Sequence, residues 1–348
     1  MKASLVERFA TWENFLAILT ACVVAYAVVA VPHFATGFNV SQAIAGVSER
    51  ALIVLPMMLL IIAREIDLSV ASMLALCSVV FGLAVQGGAP MAVAIGLSLA
   101  TGVAAGALNG LLVTAFGLPS LVVTLGTLAL FRGAGYVLLG SASVNAFPDA
   151  FTNFGIDMVG GTPIPWTIVP FLVLAPLFAV VLHASATGRR IYAIGGNPDT
   201  ALYAGVKVDR IRLWLFITSG VVCAIAGIVF TARLANARAD NAVGMELDVI
   251  TIALLGGVNV FGGRGKLSGV LYALVLIAML RNVLGLLQIG GDAQGTVIGL
   301  LLIVSLLVST TAERLYASLQ TWMRRRNSSG PRSGGPAEPM TIVPDQWR

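Results

Sequence analysis

The glycine-rich stretch at residues 262–268, Gly-Gly-Arg-Gly-Lys-Leu-Ser, has the composition closest to that of a phosphate-binding loop. Such a loop needs a glycine six residues before its lysine, and a Ser or Thr directly after the lysine to bind Mg²⁺. Val260 and Leu267 occupy these two positions around Lys266. The sequence therefore predicts a tight basic turn, and any ATP that drives this protein must be hydrolysed by another subunit.

Residues suited to enzymatic catalysis are equally sparse. The two histidines, His33 and His183, stand at the ends of apolar runs, and no carboxylate pair or Ser-His-Asp set can be placed in one cavity. The three cysteines lie far apart inside apolar runs, where a thiol behaves as a small hydrophobic group. We therefore predict no enzyme activity, no cofactor and no metal site.

The most polar interior segment spans residues 188–212 and carries a helix-start signal at its centre. Asn197 has the side chain of an N-cap, and Pro198 suits the first helical position. Asp199 complements the helix dipole, and Gly205 supplies a stop. The spacing predicts one short helix over residues 198–204. Five cations surround it: Arg189, Arg190, Lys207, Arg210 and Arg212.

A second charged segment, Arg64-Glu65-Ile66-Asp67-Leu68-Ser69-Val70, stands between two apolar runs. Its charges are close enough in sequence to pair with one another, which lowers the cost of holding them near a bilayer. The structural interpretation makes Asp67 the N-cap or first-turn acid of the next helix, with Ser69 assisting. The functional interpretation is a contact with a cytoplasmic partner, or a gate, formed by Arg64, Glu65, Asp67 and Ser69.

Other polar residues interrupt the apolar runs themselves, where polar groups usually face other helices or a water-filled cavity. Asn109, Arg132 and Asn259 are the candidates for lining a transport pathway, and interhelical hydrogen bonding is the equally weighted alternative. No pair of carboxylates within the apolar runs marks a proton or sodium path. This disfavours ion-coupled transport.

The elements that must position these residues follow from composition. Apolar residues make up 58% of the chain and charged residues only 11%, and apolar runs of about 20 residues recur, as in all-α polytopic membrane proteins. The runs predict about ten transmembrane helices, at residues 15–31, 47–63, 68–85, 91–116, 119–139, 166–183, 212–230, 248–262, 268–288 and 295–311.

The basic residues orient these helices. If the N-terminus is cytoplasmic, most of the 21 Lys and Arg residues fall on the cytoplasmic side, so the net charge of +5 implies no nucleic-acid partner. We predict a cytoplasmic N-terminus (1–14), a transmembrane domain (15–311) with a cytoplasmic loop (184–211), and a largely disordered cytoplasmic tail (312–348). The ten helices then divide into two inverted halves of five.

Ordered motifs extend this interpretation. They are Ile-Asp-Leu-Ser-Val-Ala-Ser at 66–72, Gly-Arg-Arg-Ile-Tyr-Ala-Ile-Gly-Gly-Asn at 188–197, Ala-Gly-Val at 204–206, Glu-Leu-Asp-Val-Ile at 246–250, Leu-Gly-Gly-Val at 255–258 and Gly-Gly-Arg-Gly at 262–265. Together they resemble the inner-membrane permeases of ribose-type sugar ABC importers, the subunits that serve ribose, xylose, arabinose, galactose, rhamnose and autoinducer-2. The resemblance covers residues 45–310.

This resemblance implies a multi-pass protein of the bacterial inner membrane that carries a small-molecule sugar. It also implies three protein partners: a cytoplasmic ABC ATPase, a periplasmic sugar-binding protein and a second permease, either an identical copy or a paralogue. The order Arg-Glu-Ile-Asp-Leu-Ser at 64–69 is more similar to rhamnose-type than to ribose-type permeases. Two alternatives stay open: an ABC permease for branched-chain amino acids and an ion-coupled secondary transporter.

In ABC importers, a short cytoplasmic helix of the permease sits in a groove of the ATPase and couples ATP-driven closure to opening of the pathway. Its pattern is an acid, two small residues and a glycine six residues after the acid. This chain matches it with Asp199, Thr200, Ala201 and Gly205, with Asp in place of Glu and Thr in place of the first Ala. The resemblance thus implies ATPase coupling through these residues, Asn197 and the loop cations Arg189 and Arg190.

The opposite face carries the remaining irregular sequence. Residues 140–165 are long enough to form a small periplasmic element, and Arg233 and Arg238 are unusual exterior charges. If the chain is such a permease, this face meets the binding protein. We expect both regions to contact it.

Overall fold

The computed structural model describes residues 12–291, 293–301 and 303. Most of the predicted N-terminal segment, the end of the predicted helix 295–311 and the predicted tail 312–348 lie outside these residues. The described residues from 12 to 301 belong to one compact unit. All regular elements of the described residues are helical, with two isolated β-bridges in the loops.

The helices follow one another along the chain as α1 (Trp12–Ala30), α2 (Gly37–Ile62), α3 (Val70–Gln86), α4 (Met91–Thr114), α5 (Ser120–Leu139), α6 (Asp149–Ile156), α7 (Val169–His183), α8 (Ala186–Gly196), α9 (Pro198–Tyr203), α10 (Val208–Leu234), α11 (Met245–Leu255) and α12 (Leu267–Leu286). A 3₁₀ turn at Trp166–Ile168 leads into α7. Helical conformation resumes at residues 293–301.

Seven of the described helices are long and apolar enough to cross a bilayer: α1, α2, α4, α5, the 3₁₀ turn continued by α7, α10 and α12. Helix α3 is apolar but has only 17 residues, and α11 has 11. The prediction of an all-α polytopic membrane protein is confirmed by these helices. The count of ten, the inverted halves and the sides on which the termini lie stay predictions.

Two predicted boundaries were wrong. Helix α2 begins at Gly37, ten residues before the predicted start at residue 47, because the Thr36 side chain accepts a hydrogen bond from Asn39 N and starts the helix early. Helix α11 ends at Leu255, although its apolar run continues to Val260. Gly257 adopts a φ of +84°, a left-handed conformation that glycine takes at no steric cost and that ends the helix there.

The centre of the bundle is the crossing of α4 and α10. Gly102 of α4 lies against the backbone of Gly220 of α10, and Gly106 lies against the backbone of Phe216. Any side chain at these glycines would overlap the facing backbone. Small residues permit this close approach in a bilayer, where water does not drive helices together.

The segment 63–69 descends into the bundle alongside α10. Glu65 lies 2.7 Å from Arg212 near the start of α10, and Asp67 accepts a hydrogen bond from Ser219, seven residues further along that helix. Because Ser219 lies about two helical turns beyond Arg212 on α10, the Asp67 carboxylate lies deeper in the bundle than the Glu65 carboxylate. Helix α3 therefore begins inside the bundle, which is why it is short.

Candidate functional site

The predicted short helix is confirmed as α9. Asn197 Oδ1 accepts a hydrogen bond from Thr200 N at 3.0 Å, which is the predicted N-cap, and Gly205 has a φ of +81° just after the helix. A preceding helix, α8, was not predicted. It begins at Ala186 and is capped by Ser185, whose hydroxyl accepts a hydrogen bond from Gly188 N at 3.2 Å.

Helix α9 presents an unusual surface. Ala201 is buried, whereas Asp199 and Thr200 are exposed. Leu202 is also exposed, and the Tyr203 side chain is 92% exposed at the tip of a basic segment. Large apolar side chains left in solvent mark contact surfaces when they stand together. The helix thus packs on the rest of the protein through Ala201, and its larger side chains, Leu202 and Tyr203, face solvent.

A junction of main-chain contacts fastens α8 to the bundle. Arg64 donates from Nε to Gly195 O at 2.8 Å and from Nη2 to Gly196 O at 2.7 Å. Gly263 N donates to Ile62 O at 2.9 Å, and Gly195 packs directly on both of these groups. The phosphate-loop-like segment is therefore a turn, as predicted, and its packing on α8 and on the end of α2 was not predicted.

The hydroxyl of Tyr192 completes this junction by donating to Gly265 O at 2.6 Å. Three motifs that are far apart in the sequence thus meet at one place: the 64–70 segment, the Gly-Gly pair that ends α8, and the turn after α11. These hydrogen bonds connect α8 to the ends of α2 and α11. Sequence spacing alone did not indicate that they meet.

The charges of the 64–70 segment do not pair with one another, so that expectation was wrong. Arg64 reaches α8, whereas Asp67 is fully buried among hydroxyl groups. Asp67 Oδ1 accepts from Ser69 N at 3.0 Å and from Ser69 Oγ at 2.6 Å, and its Oδ2 accepts from Ser219 Oγ at 3.1 Å. Asn109 Nδ2 in turn donates to Ser69 Oγ at 2.8 Å. The cause is the descent of the segment, which separates the three charges in depth.

Glu65 occupies the upper end of this segment. Burial raises the pKa of its carboxyl group, while a hydrogen bond from Ser120 and the charge of Arg212 act in the opposite direction. Arg212 Nε is 2.7 Å from Glu65 Oε1, close enough for an ion pair although the N–H is not aligned for a hydrogen bond. The pair compensates a carboxylate that is only 5% exposed.

The other end of the bundle holds a set of internal ion pairs. Glu49, fully buried on α2, accepts a 2.7 Å hydrogen bond from Arg233 Nε at the end of α10. Asp248 of α11 accepts from Arg50 at 2.9 Å and from Arg281 at 2.6 Å. These pairs link α2, α10, α11 and α12.

Arg233 and Arg238, the predicted docking residues, differ in their surroundings. Arg233 is held by Glu49 and lies over the Phe230 ring at 5.4 Å. Arg238 forms an exposed pair with Asp240, with both nitrogen–oxygen distances at 2.8 Å. That pair lowers the pKa of Asp240. Arg238 is therefore the more accessible of the two.

The three pathway candidates are not brought together. Asn109 lies in the buried cluster around Asp67, and its Oδ1 has no hydrogen-bond partner. Arg132 Nη1 donates to Ala239 O at 2.6 Å and to Asn241 O at 2.7 Å, in the segment that leads to α11. Asn259 lies outside the helix, where its Oδ1 accepts from Phe261 N at 2.8 Å.

Sequence reasoning missed several partners of these residues. Glu49 and Asp248 were not singled out because a lone acid in or beside an apolar run does not indicate which arginine it will meet. Ser219 carried no signal at all, since serine is common on helix interfaces. The available clue was that both acids have arginines on neighbouring helices: Glu49 and Asp248 each have an arginine within hydrogen-bonding distance.

This arrangement defines the class of the protein. Apolar helices with one non-helical segment inside the bundle, lined by buried polar side chains, are the architecture of multi-pass membrane transport proteins. The family model described as "Branched-chain amino acid transport system / permease component" matches residues 39–306, and the chain belongs to this family.

Curated relatives agree with this assignment. The autoinducer 2 import system permease protein LsrD of Yersinia enterocolitica is 33% identical over 287 residues, which cover 80% of this chain and 85% of that protein. LsrD of Photorhabdus temperata is 32% identical over 283 residues, covering 80% and 84%. LsrD of Escherichia coli is 32% identical over 281 residues, covering 79% and 84%. No solved structure matches the chain. The family resemblance found in the sequence is confirmed.

Proposed function

We propose that this protein is the permease subunit of an ATP-driven, binding-protein-dependent importer of carbohydrates in the bacterial inner membrane. The relatives that import autoinducer 2 and the sugar-permease motifs in the sequence support a sugar-like substrate. Rhamnose is the second substrate to test, because the 64–69 segment resembles rhamnose-type permeases. Two permeases, identical or paralogous, form the pathway between them, and alternating access is driven by the ATPases.

The observation that carries this proposal is the geometry of α9. It is a capped helix in a basic segment, it exposes Tyr203, and the preceding helix is hydrogen-bonded to the ends of α2 and α11. A partner that binds α9 and displaces it would also displace α8, and through the hydrogen bonds of α8 it would displace the ends of α2 and α11. We propose the ATPase as that partner, with Asp199, Thr200 and Arg189 at the contact.

The two-halves proposal has support in helix lengths. Helix α2 has 26 residues and is followed by the short α3, while α10 has 27 residues and is followed by the short α11. Paired short helices at corresponding positions of two halves point to the transport site in many secondary transporters. We therefore place the pathway near the starts of α3 and α11, close to Asn109 and Arg132, and assign no pathway role to Asn259.

The coupling proposal is tested by Tyr203→Ser in the complete transporter, reconstituted with its ATPase and binding protein. Buried interface aromatics are frequent hot spots, so we expect uptake and stimulated ATP hydrolysis to fall by on the order of tenfold. Phe116→Ser is the matched control, because Phe116 is also exposed but lies in the turn between α4 and α5. Equal losses in the two variants, or no loss in either, would exclude α9 as the coupling element.

The substrate is tested by measuring uptake of labelled autoinducer 2, rhamnose and leucine by the same complex. We expect a carbohydrate-like compound to enter in an ATP-dependent manner, and leucine to be excluded. Leucine uptake would instead establish the branched-chain amino acid alternative, which the description of the matched family favours. Uptake by this chain alone, driven by a sodium or proton gradient, would establish a secondary transporter.

The outer docking proposal is tested with Arg238→Glu and Arg233→Glu. Arg238 is accessible, so its reversal should weaken binding of the binding protein in a salt-dependent way. Arg233 donates a hydrogen bond to the buried Glu49, so Arg233→Glu should lower the stability of the fold before it affects docking. Docking that is insensitive to both Arg238→Glu and salt would return this arginine to a structural role.

A further inference from the structure

A cleft of about 640 Å³ lies between α7, α8 and α10, next to the proposed coupling helix. Its inner wall is apolar, with Leu59 at the floor and Leu177, Val181 and Trp214 on the sides. Leu177 and Trp214 belong to helices that are long and apolar enough to span a bilayer, and both side chains are more than half exposed. The cleft is thus open on its membrane side.

Three cations line the other end of this cleft: Arg190 in the middle of α8, Lys207 before α10, and Arg210 in the first turn of α10. None of their side chains has an ion pair or hydrogen bond within the residues that the structure describes. The acid beside them in the sequence, Asp209, lines a different cleft with Arg64 and Arg212. The three positive charges are therefore uncompensated by the described part of the chain.

The chemistry of the lining changes along the length of the cleft. Lining residues run along α10 from Lys207 to Thr218, a span of about 16 Å at 1.5 Å per residue. The cations occupy the first part of this span, and Trp214 stands further in. A ligand that fills the cleft must carry negative charge at one end and a hydrocarbon chain at the other.

We propose that this cleft binds an anionic phospholipid, with the headgroup phosphate on Arg190, Lys207 and Arg210 and an acyl chain against Trp214 and Leu177. Basic pockets between membrane helices on the cytoplasmic side are suited to acidic lipid headgroups. A soluble phosphate leaves the apolar wall uncovered. A second copy of this chain docked by the same face brings the same cations together, which is repulsive.

The lipid site adjoins the proposed coupling segment. Gly205, directly after α9, also lines the cleft, so a bound lipid touches both the coupling segment and the first turns of α10. Lipid binding does not depend on ATP or on the partner subunits, so the lipid site and the proposed transport function can fail separately.

The test uses the purified full-length permease in phosphatidylcholine nanodiscs that contain brominated lipid, which quenches tryptophan fluorescence on contact. The chain has five tryptophans, so the difference between wild type and Trp214→Phe isolates the signal of Trp214. We expect brominated phosphatidylglycerol to quench Trp214 at several-fold lower mole fraction than brominated phosphatidylcholine.

Charge variants then locate the headgroup. Arg190→Gln should raise the phosphatidylglycerol fraction needed for half-quenching by roughly five-fold, the effect of one cation near an anionic lipid. Arg189→Gln is the matched control, because this neighbouring arginine is exposed but does not line the cleft, and it should leave the curve unchanged. Lys207→Gln should repeat the Arg190→Gln result from a different element.

Four results would overturn the proposal. Equal quenching of Trp214 by the two brominated lipids means that the cleft does not select charge. Absence of quenching by either lipid means that protein covers the cleft. Equal shifts for Arg189→Gln and Arg190→Gln indicate diffuse attraction to the membrane surface. Displacement of the brominated phosphatidylglycerol by millimolar inorganic phosphate indicates a site for a free anion.

Discussion

The two ends of the bundle differ in whether their charged side chains have partners within the protein. At the end that holds Glu49 and Asp248, these two acids are engaged by arginines from other helices, and the pairs join α2, α10, α11 and α12. At the end that holds α8 and α9, Arg189, Arg190, Lys207 and Arg210 have no partner among the described residues.

The difference separates residues that maintain the fold from residues that are available to other molecules. A buried charge is costly unless it is paired, so the pairs at the first end stabilise only as complete units. Leaving an exposed cation unpaired costs little free energy, because water solvates it, and the cation stays available to bind a phosphate or an acidic surface. Substitutions in the buried pairs of the first end should therefore change stability, and substitutions of the unpaired cations at the second should change binding and coupling.

The largest effect is expected for Arg233→Ala. It leaves the fully buried Glu49 carboxylate without its cation, and breaking such a pair costs about 3–5 kcal/mol. Thermal unfolding of the purified protein in detergent measures this loss. The double variant Glu49→Gln/Arg233→Gln should recover part of it. If Arg233→Ala weakened binding-protein docking and left the unfolding temperature unchanged, the two ends would not differ as described.

A loss of about 1–3 kcal/mol is expected for Asp67→Asn, because the fully buried carboxylate accepts hydrogen bonds from Ser69 and Ser219. Asp199→Asn makes the same chemical change at an exposed position. It should leave the unfolding temperature unchanged and lower only the stimulated ATPase rate in the complete transporter. Equal stability losses in the two variants would contradict the comparison.

Adjacent glycines give a sharper test at the junction. Gly195→Ala places a methyl group onto Ile62 O and Gly263 N, and such overpacking typically costs about 1–3 kcal/mol. Gly196→Ala meets no atom within 4 Å and should be neutral or slightly stabilising. Uptake measured at a temperature where both variants are folded should fall only for Gly195→Ala. A matching fall for Gly196→Ala would show that the junction does not transmit the motion.

The smallest effect is expected for the exposed pair Arg238–Asp240. The hydrogen bond from Arg238 lowers the pKa of Asp240, so the pair contributes stability above the ordinary aspartate pKa and loses it as the pH falls through the lowered value. The unfolding temperatures of wild type and Asp240→Asn should converge at acidic pH, and also in high salt. A difference that persists in 1 M salt would show that this pair is more than a surface contact.

Composition and spacing alone determined much of this molecule. The all-α membrane class followed from the apolar runs, because about 20 apolar residues have few other stable environments. The α9 helix followed from Asn197, Pro198 and Gly205, since capping chemistry is local and involves neighbours in sequence. The failure of the phosphate-loop pattern at Val260 and Leu267 was equally local.

The tertiary structure decided which residues meet. Arg64 lies 131 residues before Gly195, and Glu49 lies 184 residues before Arg233, so no spacing rule predicts these contacts. The descent of residues 63–69 also needed the structure, because it depends on the Asn109 amide of α4 and the Ser219 hydroxyl of α10, which donate to Ser69 and Asp67. Local pattern determines an element, whereas the pairing of charges depends on how the packed helices bring distant side chains to the same depth.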